Sequence, residues 1–174
     1  MDSPKQQNLD ELCNMTDLES LTISNSPLNS IEFLKKLSNL KRLSLQDCRR
    51  ISDYSPISAL SKIEWIDIRG SRHITDLNFV IGLNNLQNLI IESNSTIDNL
   101  KPIAALRNIR GFRLYGNKMN IADGDLGCLE NHPTLANLSV KNKRHYTHKR
   151  LSVLSSCICK LCSRIARFGI EDDE

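Results

Sequence analysis

Glycine is scarce in this chain, seven residues in 174, and the seven lie scattered. They build no phosphate loop: neither G-x-x-x-x-G-K-[ST] nor G-x-G-x-x-G occurs. H-E-x-x-H and the G-x-S-x-G elbow are missing too, so no enzyme is expected, and no catalytic residue, cofactor or metal is assigned. No apolar run approaches the roughly 18 residues of a membrane span. The opening Met1-Asp2-Ser3-Pro4-Lys5-Gln6-Gln7 lacks the apolar stretch of a secretory leader. A cytoplasmic protein is the expectation, and six cysteines fit it as free thiols, with Cys13, Cys48 and Cys128 read as small core residues. At 40% hydrophobic and 25% charged, the composition is that of an ordinary globular chain.

What the chain does contain is a spacing. Leu40, Leu43, Leu45, Cys48, Ile51, Tyr54 and Ile57 become, 23 residues on, Ile63, Ile66, Ile68, Ser71, Ile74, Leu77 and Val80. Another 23 residues give Leu86, Leu89, Ile91, Asn94, Ile97, Leu100 and Ile103. Apolar residues returning to the same slots define a solenoid of stacked units, none of which can bury its apolar face alone. The core of each unit, such as Leu43-Ser44-Leu45 or Ile66-Asp67-Ile68, alternates with period 2 and predicts a short strand. Anchors every third residue after it, such as Ile74, Leu77 and Val80, predict a 3₁₀-like or helical return on the opposite side.

The unit L-x-x-L-x-x-L-x-L-x-x-(N/C)-x-x-I-x-x-L-x-x-I resembles the leucine-rich repeat, in its short subclass of about 22 residues known from phosphatase regulators and internalins. The resemblance implies an α/β solenoid: an arc with a parallel strand of each coil on the concave face and 3₁₀ or helical returns on the convex side. It also implies that the polar slot after each strand, here Cys48, Ser71, Asn94 and Asn117, points inward to bond the backbone of adjacent coils. With Asn94 so placed and no leader, the glycosylation matches Asn14-Met15-Thr16 and Asn94-Ser95-Thr96 read as chance.

Six units are expected over about 15–143, inside a repeat domain 1–148 with an N-terminal cap at 1–14. The first, with Leu18, Leu21, Ile23, Leu28, Ile31 and Leu34, is one residue short. The fifth, with Ile109, Phe112, Leu114 and Asn117, turns irregular from Lys118 to Gly127. The sixth, with Leu135, Leu138 and Val140, is offset by 26 and puts Lys143 in the inward polar slot. Irregular ends suit a capped stack, and with Met1 they read as a complete unit.

Proteins of this family use the concave side for recognition, so the residues beside the strand leucines are the candidate site. The ladder runs Ser20, Thr22, Ser24; Arg42, Ser44, Gln46; Trp65, Asp67, Arg69; Asn88, Ile90, Glu92; Gly111, Arg113, Tyr115; Asn137, Ser139, Lys141. Its middle stands out. Trp65 is the only tryptophan, the pattern exposes it, and Ile90 lies one rung on. Tryptophan, tyrosine and arginine are the types enriched at binding hot spots. Trp65, Ile90, Arg113 and Tyr115 are the expected anchors for a protein partner, with Asp67, Arg69 and Glu92 setting orientation. The other reading of Trp65 is cross-strand packing on Ile90. The free chain is expected to be a monomer.

Residues 141–170 differ from the rest. They hold eight bases (Lys141, Lys143, Arg144, Lys149, Arg150, Lys160, Arg164, Arg167) and no acid, before the acidic tail Glu171-Asp172-Asp173-Glu174. Leu151, Leu154, Ile158, Leu161, Ile165 and Phe168 make a helical stripe that predicts a helix over about 149–168 in a C-terminal segment 149–174. The favoured role is a cap on the open end of the stack. The alternative is a basic amphipathic helix, within 141–168, that docks on an acidic partner, an acidic membrane surface or nucleic acid. His145, His148, Cys157, Cys159 and Cys162 invite a zinc reading, but residues two apart on a helix point about 200° apart, so stripe and metal site exclude each other.

Overall fold

The computed structural model describes residues 12, 14–141 and 143–147. Six strands, β1 (Ser20–Ser24), β2 (Arg42–Gln46), β3 (Trp65–Ser71), β4 (Asn88–Ser93), β6 (Gly111–Tyr115) and β8 (Asn137–Val140), form one sheet in chain order. Every pair is parallel. A second, two-stranded sheet joins β5 (Thr96–Ile97) to β7 (Asn120–Ile121). Among the described residues no helix is long and apolar enough to cross a membrane.

The register reproduces the sequence spacing. Leu21 pairs with Leu43, Leu43 with Ile66, Ile66 with Leu89, Leu89 with Phe112 and Phe112 with Leu138. Strand residues alternate between buried and accessible, as a pleated strand with one covered face must. The expected returns form at Glu32–Lys36, Ser55–Ala59, Asn78–Val80 and Gly127–Leu129 as 3₁₀ turns, and at Lys101–Ala104 as one α-helical turn. Pro56 and Pro102 lie in the first turn of their returns, where a missing N–H costs nothing. Between sheet and returns, Leu43, Leu45, Ile57, Ile66, Ile68, Val80, Leu89, Ile91 and Ile103 form one continuous buried core.

The inward polar slot departs from the expectation in its second half. Cys48 and Ser71 are buried as expected, but Asn94 and Asn117 are exposed; Ser26 and Ser93 are the buried members, and Gly116 follows them. The cause is a change of turn. Asn25, Asp47 and Gly70 adopt positive φ (50°, 52° and 69°) and add a residue between the last core position of the strand and the slot. The fourth coil has no such residue. The register therefore shifts between Ile68 and Ser71, and Ser71 pairs with Ser93. The Ser93 hydroxyl donates to the Ser71 carbonyl at 3.5 Å. At Gly116 a Cβ would lie 1.9 Å from the Ser93 carbonyl oxygen, so only glycine lets the fifth coil close on the fourth. Asn94 instead accepts the Lys118 N–H at the surface, 3.1 Å away.

Two further ladders tie coils together. Before the strands, Asn39, Asn85 and Asn108 donate to the backbone carbonyls of Thr16, Ser61 and Asn84 at 3.0, 2.8 and 2.6 Å, and Lys62 donates to the Asn39 side chain at 2.7 Å. Before the returns, Asp53, Asp76, Asn99 and Asp125 accept the N–H two residues on at 2.8–3.0 Å, an Asx turn in four successive coils.

The last coil holds one anomaly. His132 falls in the slot that Leu37, Leu60, Leu83 and Leu106 fill in earlier coils, and it is 6% exposed. Its Nδ1 accepts the Thr134 N–H at 3.4 Å, while Nε2 is buried with no partner. Of the predicted N-terminal cap at 1–14 only Leu12 and Asn14 are described, and the predicted helix over 149–168 lies outside the described residues.

Candidate protein-binding surface

On a strand, residues two apart share a face, so one face of the sheet carries three rows of side chains. Parallel pairing aligns Arg42, Trp65, Asn88, Gly111 and Asn137 in the first row. It aligns Ser44, Asp67, Ile90, Arg113 and Ser139 in the second. In the third, Gln46 faces Arg69 on one side and Glu92 faces Tyr115 on the other.

Trp65 is 40% exposed, one of three large apolar side chains so open among the described residues, the others being Met15 and Ile81. The Arg42 guanidinium carbon lies 5.8 Å from its ring centroid, a cation–π contact from the neighbouring strand. Trp65 stands opposite Asn88, so Ile90, opposite Asp67, is its diagonal neighbour. Ile90 is half-buried and Arg113 exposed.

Asp67 sits lower than the pleat alone indicates, only 7% exposed. Arg69, two residues along the same face, donates Nε to Asp67 Oδ1 at 2.9 Å and keeps 45% of its own side chain exposed. That bond, with the carboxylate charge behind it, holds Arg69 above the ordinary guanidinium value. Tyr115 is also raised, first by burial; it lies within electrostatic reach of Arg69, Glu92, Asp67 and Arg113. The expected orienting residues thus form one connected group around Tyr115, with Trp65 and Ile90 beside it.

Two contributors were not singled out by sequence. Arg42 steadies the tryptophan, and the offset of 23 that aligns it with Trp65 was the available signal. Asn88 lies over Gly111, where a Cβ would come within 2.6 Å of the amide oxygen. Glycine here flattens the floor between Asn88 and Arg113.

Elsewhere the chemistry is subdued. A shallow depression of about 200 Å³ on the return side is lined by Ser52, Asp53, His73 and Asp76 over Tyr54 and Phe79, but both carboxylates serve their own turns. Cys48 and Cys128 are free thiols, and burial pushes both up, Cys128 to about 11, which keeps them protonated and unreactive. Among the described residues no three His, Cys, Asp or Glu gather around a common point for a metal.

Among solved structures, internalin C2 of Listeria monocytogenes superposes with a TM-score of 0.63 at 27% identity, covering 75% of this chain and 54% of that one. The chain has the leucine-rich repeat fold. Internalin F of the same organism gives a TM-score of 0.51 at 22% identity over 80% of this chain and 44% of its own. A leucine-rich repeat protein of Leptospira interrogans gives 0.62 at 14% identity over 86% of this chain and 37% of its own. The latter two speak to the fold alone. This leucine-rich repeat chain thus spans about half the length of the structures it matches, or less. No protein-family profile matches it, and no curated protein is similar enough to count as a relative.

Proposed function

We propose that this leucine-rich repeat chain is a non-enzymatic recognition module that binds a protein partner through its concave face, in a regulatory, adaptor, immunity or effector role. The observation that carries this reading is Trp65: a tryptophan 40% exposed on the face of the sheet and braced by Arg42. A large apolar side chain held open at the centre of a polar rim is the arrangement of a hot spot. Ile90 and Tyr115 extend its apolar surface; the Asp67–Arg69 pair, Glu92 and Arg113 supply directional charge. The same proposal places the protein in the cytoplasm, where free thiols persist, and makes it a monomer before it meets its partner.

The test compares wild type with Trp65→Ala/Arg113→Glu in capture from the source organism's lysate, after thermal melts show both equally folded. A partner retained by wild type and lost by the variant supports the concave face. An identical partner set from both proteins overturns it. The alternative, nucleic-acid or membrane association through 141–168, predicts instead a steep loss of binding with added salt.

A further inference from the structure

The concave face carries its charge unevenly. β1 offers only Ser20, Thr22 and Ser24, and the one charge on β2, Arg42, is engaged on Trp65. In the centre, Asp67 is taken by Arg69. Beyond Glu92 the outward positions of β6 and β8 hold Arg113 and no carboxylate. Arg113 is exposed and makes no hydrogen bond or ion pair with a described residue. Its cross-strand neighbours are Ile90 and Ser139, and the nearest acid, Glu92, faces Tyr115 instead.

A partner that covers Trp65 also strips water from this arginine, and a desolvated guanidinium without an anion is costly. A carboxylate meets it best, through two parallel hydrogen bonds. Trp65 on β3 and Arg113 on β6 are two strands and two residues apart, which puts their backbones about 12 Å from each other. A nucleic-acid strand fits less well, because a phosphate row crossing this face meets Glu92 between the cations.

Building on the reading of the concave face as the binding surface, we infer that the partner is a protein segment with an apolar or aromatic side chain for the Trp65–Ile90 patch and an aspartate or glutamate for Arg113. In an extended segment the two fall three or four residues apart, at about 3.3 Å per residue.

The probe is a random peptide library displayed on phage, panned in parallel on the full chain, Trp65→Ala and Arg113→Glu. Wild type is expected to enrich peptides with an acid three or four residues from an aromatic or large aliphatic residue. A synthetic peptide of the enriched sequence should bind Arg113→Glu about tenfold more weakly or worse, equivalent to about 1.4 kcal/mol, and that variant should itself select basic peptides. Enrichment that depends on Trp65 but shows no acidic bias, or an acidic bias unchanged by Arg113→Glu, overturns this inference and leaves the concave face standing. Enrichment indifferent to Trp65 overturns the concave face as well, and no enrichment on wild type overturns the inference. A single-stranded oligonucleotide that binds wild type more tightly than the enriched peptide and is lost on Arg113→Glu overturns it too.

Discussion

Arg42 and Trp65 face each other across the β2–β3 pair, with the guanidinium carbon 5.8 Å from the indole centroid. The contact braces an exposed side chain from the neighbouring strand. A double-mutant cycle on stability, Arg42→Ala with Trp65→Ala, should return a coupling of about 0.5–1 kcal/mol, the range for exposed cation–π pairs. Urea unfolding followed by far-UV circular dichroism measures it, and strictly additive variants would show that the two do not interact.

Asp67 is the buried member of its ion pair and Arg69 the open one. Arg69→Ala leaves a carboxylate in the sheet face without its partner and should cost about 1–2 kcal/mol, less than a fully buried pair because the guanidinium is half in solvent. Asp67→Asn keeps shape and an acceptor oxygen and should cost less. Urea midpoints in the reverse order would refute the assignment of burial.

His132 occupies a leucine slot with an unpartnered Nε2. His132→Leu restores the residue that the repeat places there in four other coils and removes a buried polar atom without a bond, giving up only the long 3.4 Å bond from the Thr134 N–H to Nδ1. It should stabilise the protein by about 1–3 kcal/mol. A lowered urea midpoint would mean that the ring makes a contact no leucine can replace.

Three glycines separate backbone strain from crowding. Gly116→Ala drives a methyl into the Ser93 carbonyl and should cost about 3 kcal/mol or more. Gly82→Ala meets nothing within 4 Å but has φ +86°, so only strain of about 1–2 kcal/mol applies. Gly111→Ala meets only the movable end of Asn88 and should cost least. Thermal midpoints of the three variants test this order.

The Asp53 carboxyl is held below its usual value, first by the Ser55 backbone N–H and then by the Ser55 side chain. A depressed native value means that this group's contribution to stability is complete above the unfolded value, about 3.9, and fades as pH falls through the lower native one. Asp53→Asn can still accept the bond but does not titrate. Its stability should therefore decline less than that of wild type from about pH 4 downward, as read by urea midpoints across an acid series.

The leucine spacing carried the fold because a parallel stack converts a sequence offset directly into register: Leu43, Ile66 and Leu89 pair as they are spaced. It missed the slip from Asn94 to Ser93. That slip follows from backbone conformation at Asn25, Asp47 and Gly70, and apolar spacing says nothing of φ; the Asn, Asp and Gly at those positions were the only cue. The three rows of the sheet face were readable from the same alternation, and with them the exposure of Trp65. The depth of Asp67 was not, since it depends on Arg69 folding back along its own strand. The ladder of Asn39, Lys62, Asn85 and Asn108 shares the repeat period, yet its residue types vary because any donor of suitable length reaches the preceding coil.

That ladder has a direction. Asn39, Lys62, Asn85 and Asn108 each donate from a later coil to an oxygen in the coil before it, and so do Cys48 to Ile23, Ser93 to Ser71 and Ser95 to Arg72. The turns after the first two strands run the other way, with the Asn25 and Asp47 N–H groups donating forward to the Gln46 and Arg69 carbonyls, so the coils are tied in both directions. Removing the first coil leaves the Asn39 amide without the Thr16 carbonyl, a loss confined to the coil next to the cut, since Lys62, Asn85 and Asn108 keep the coils they reach.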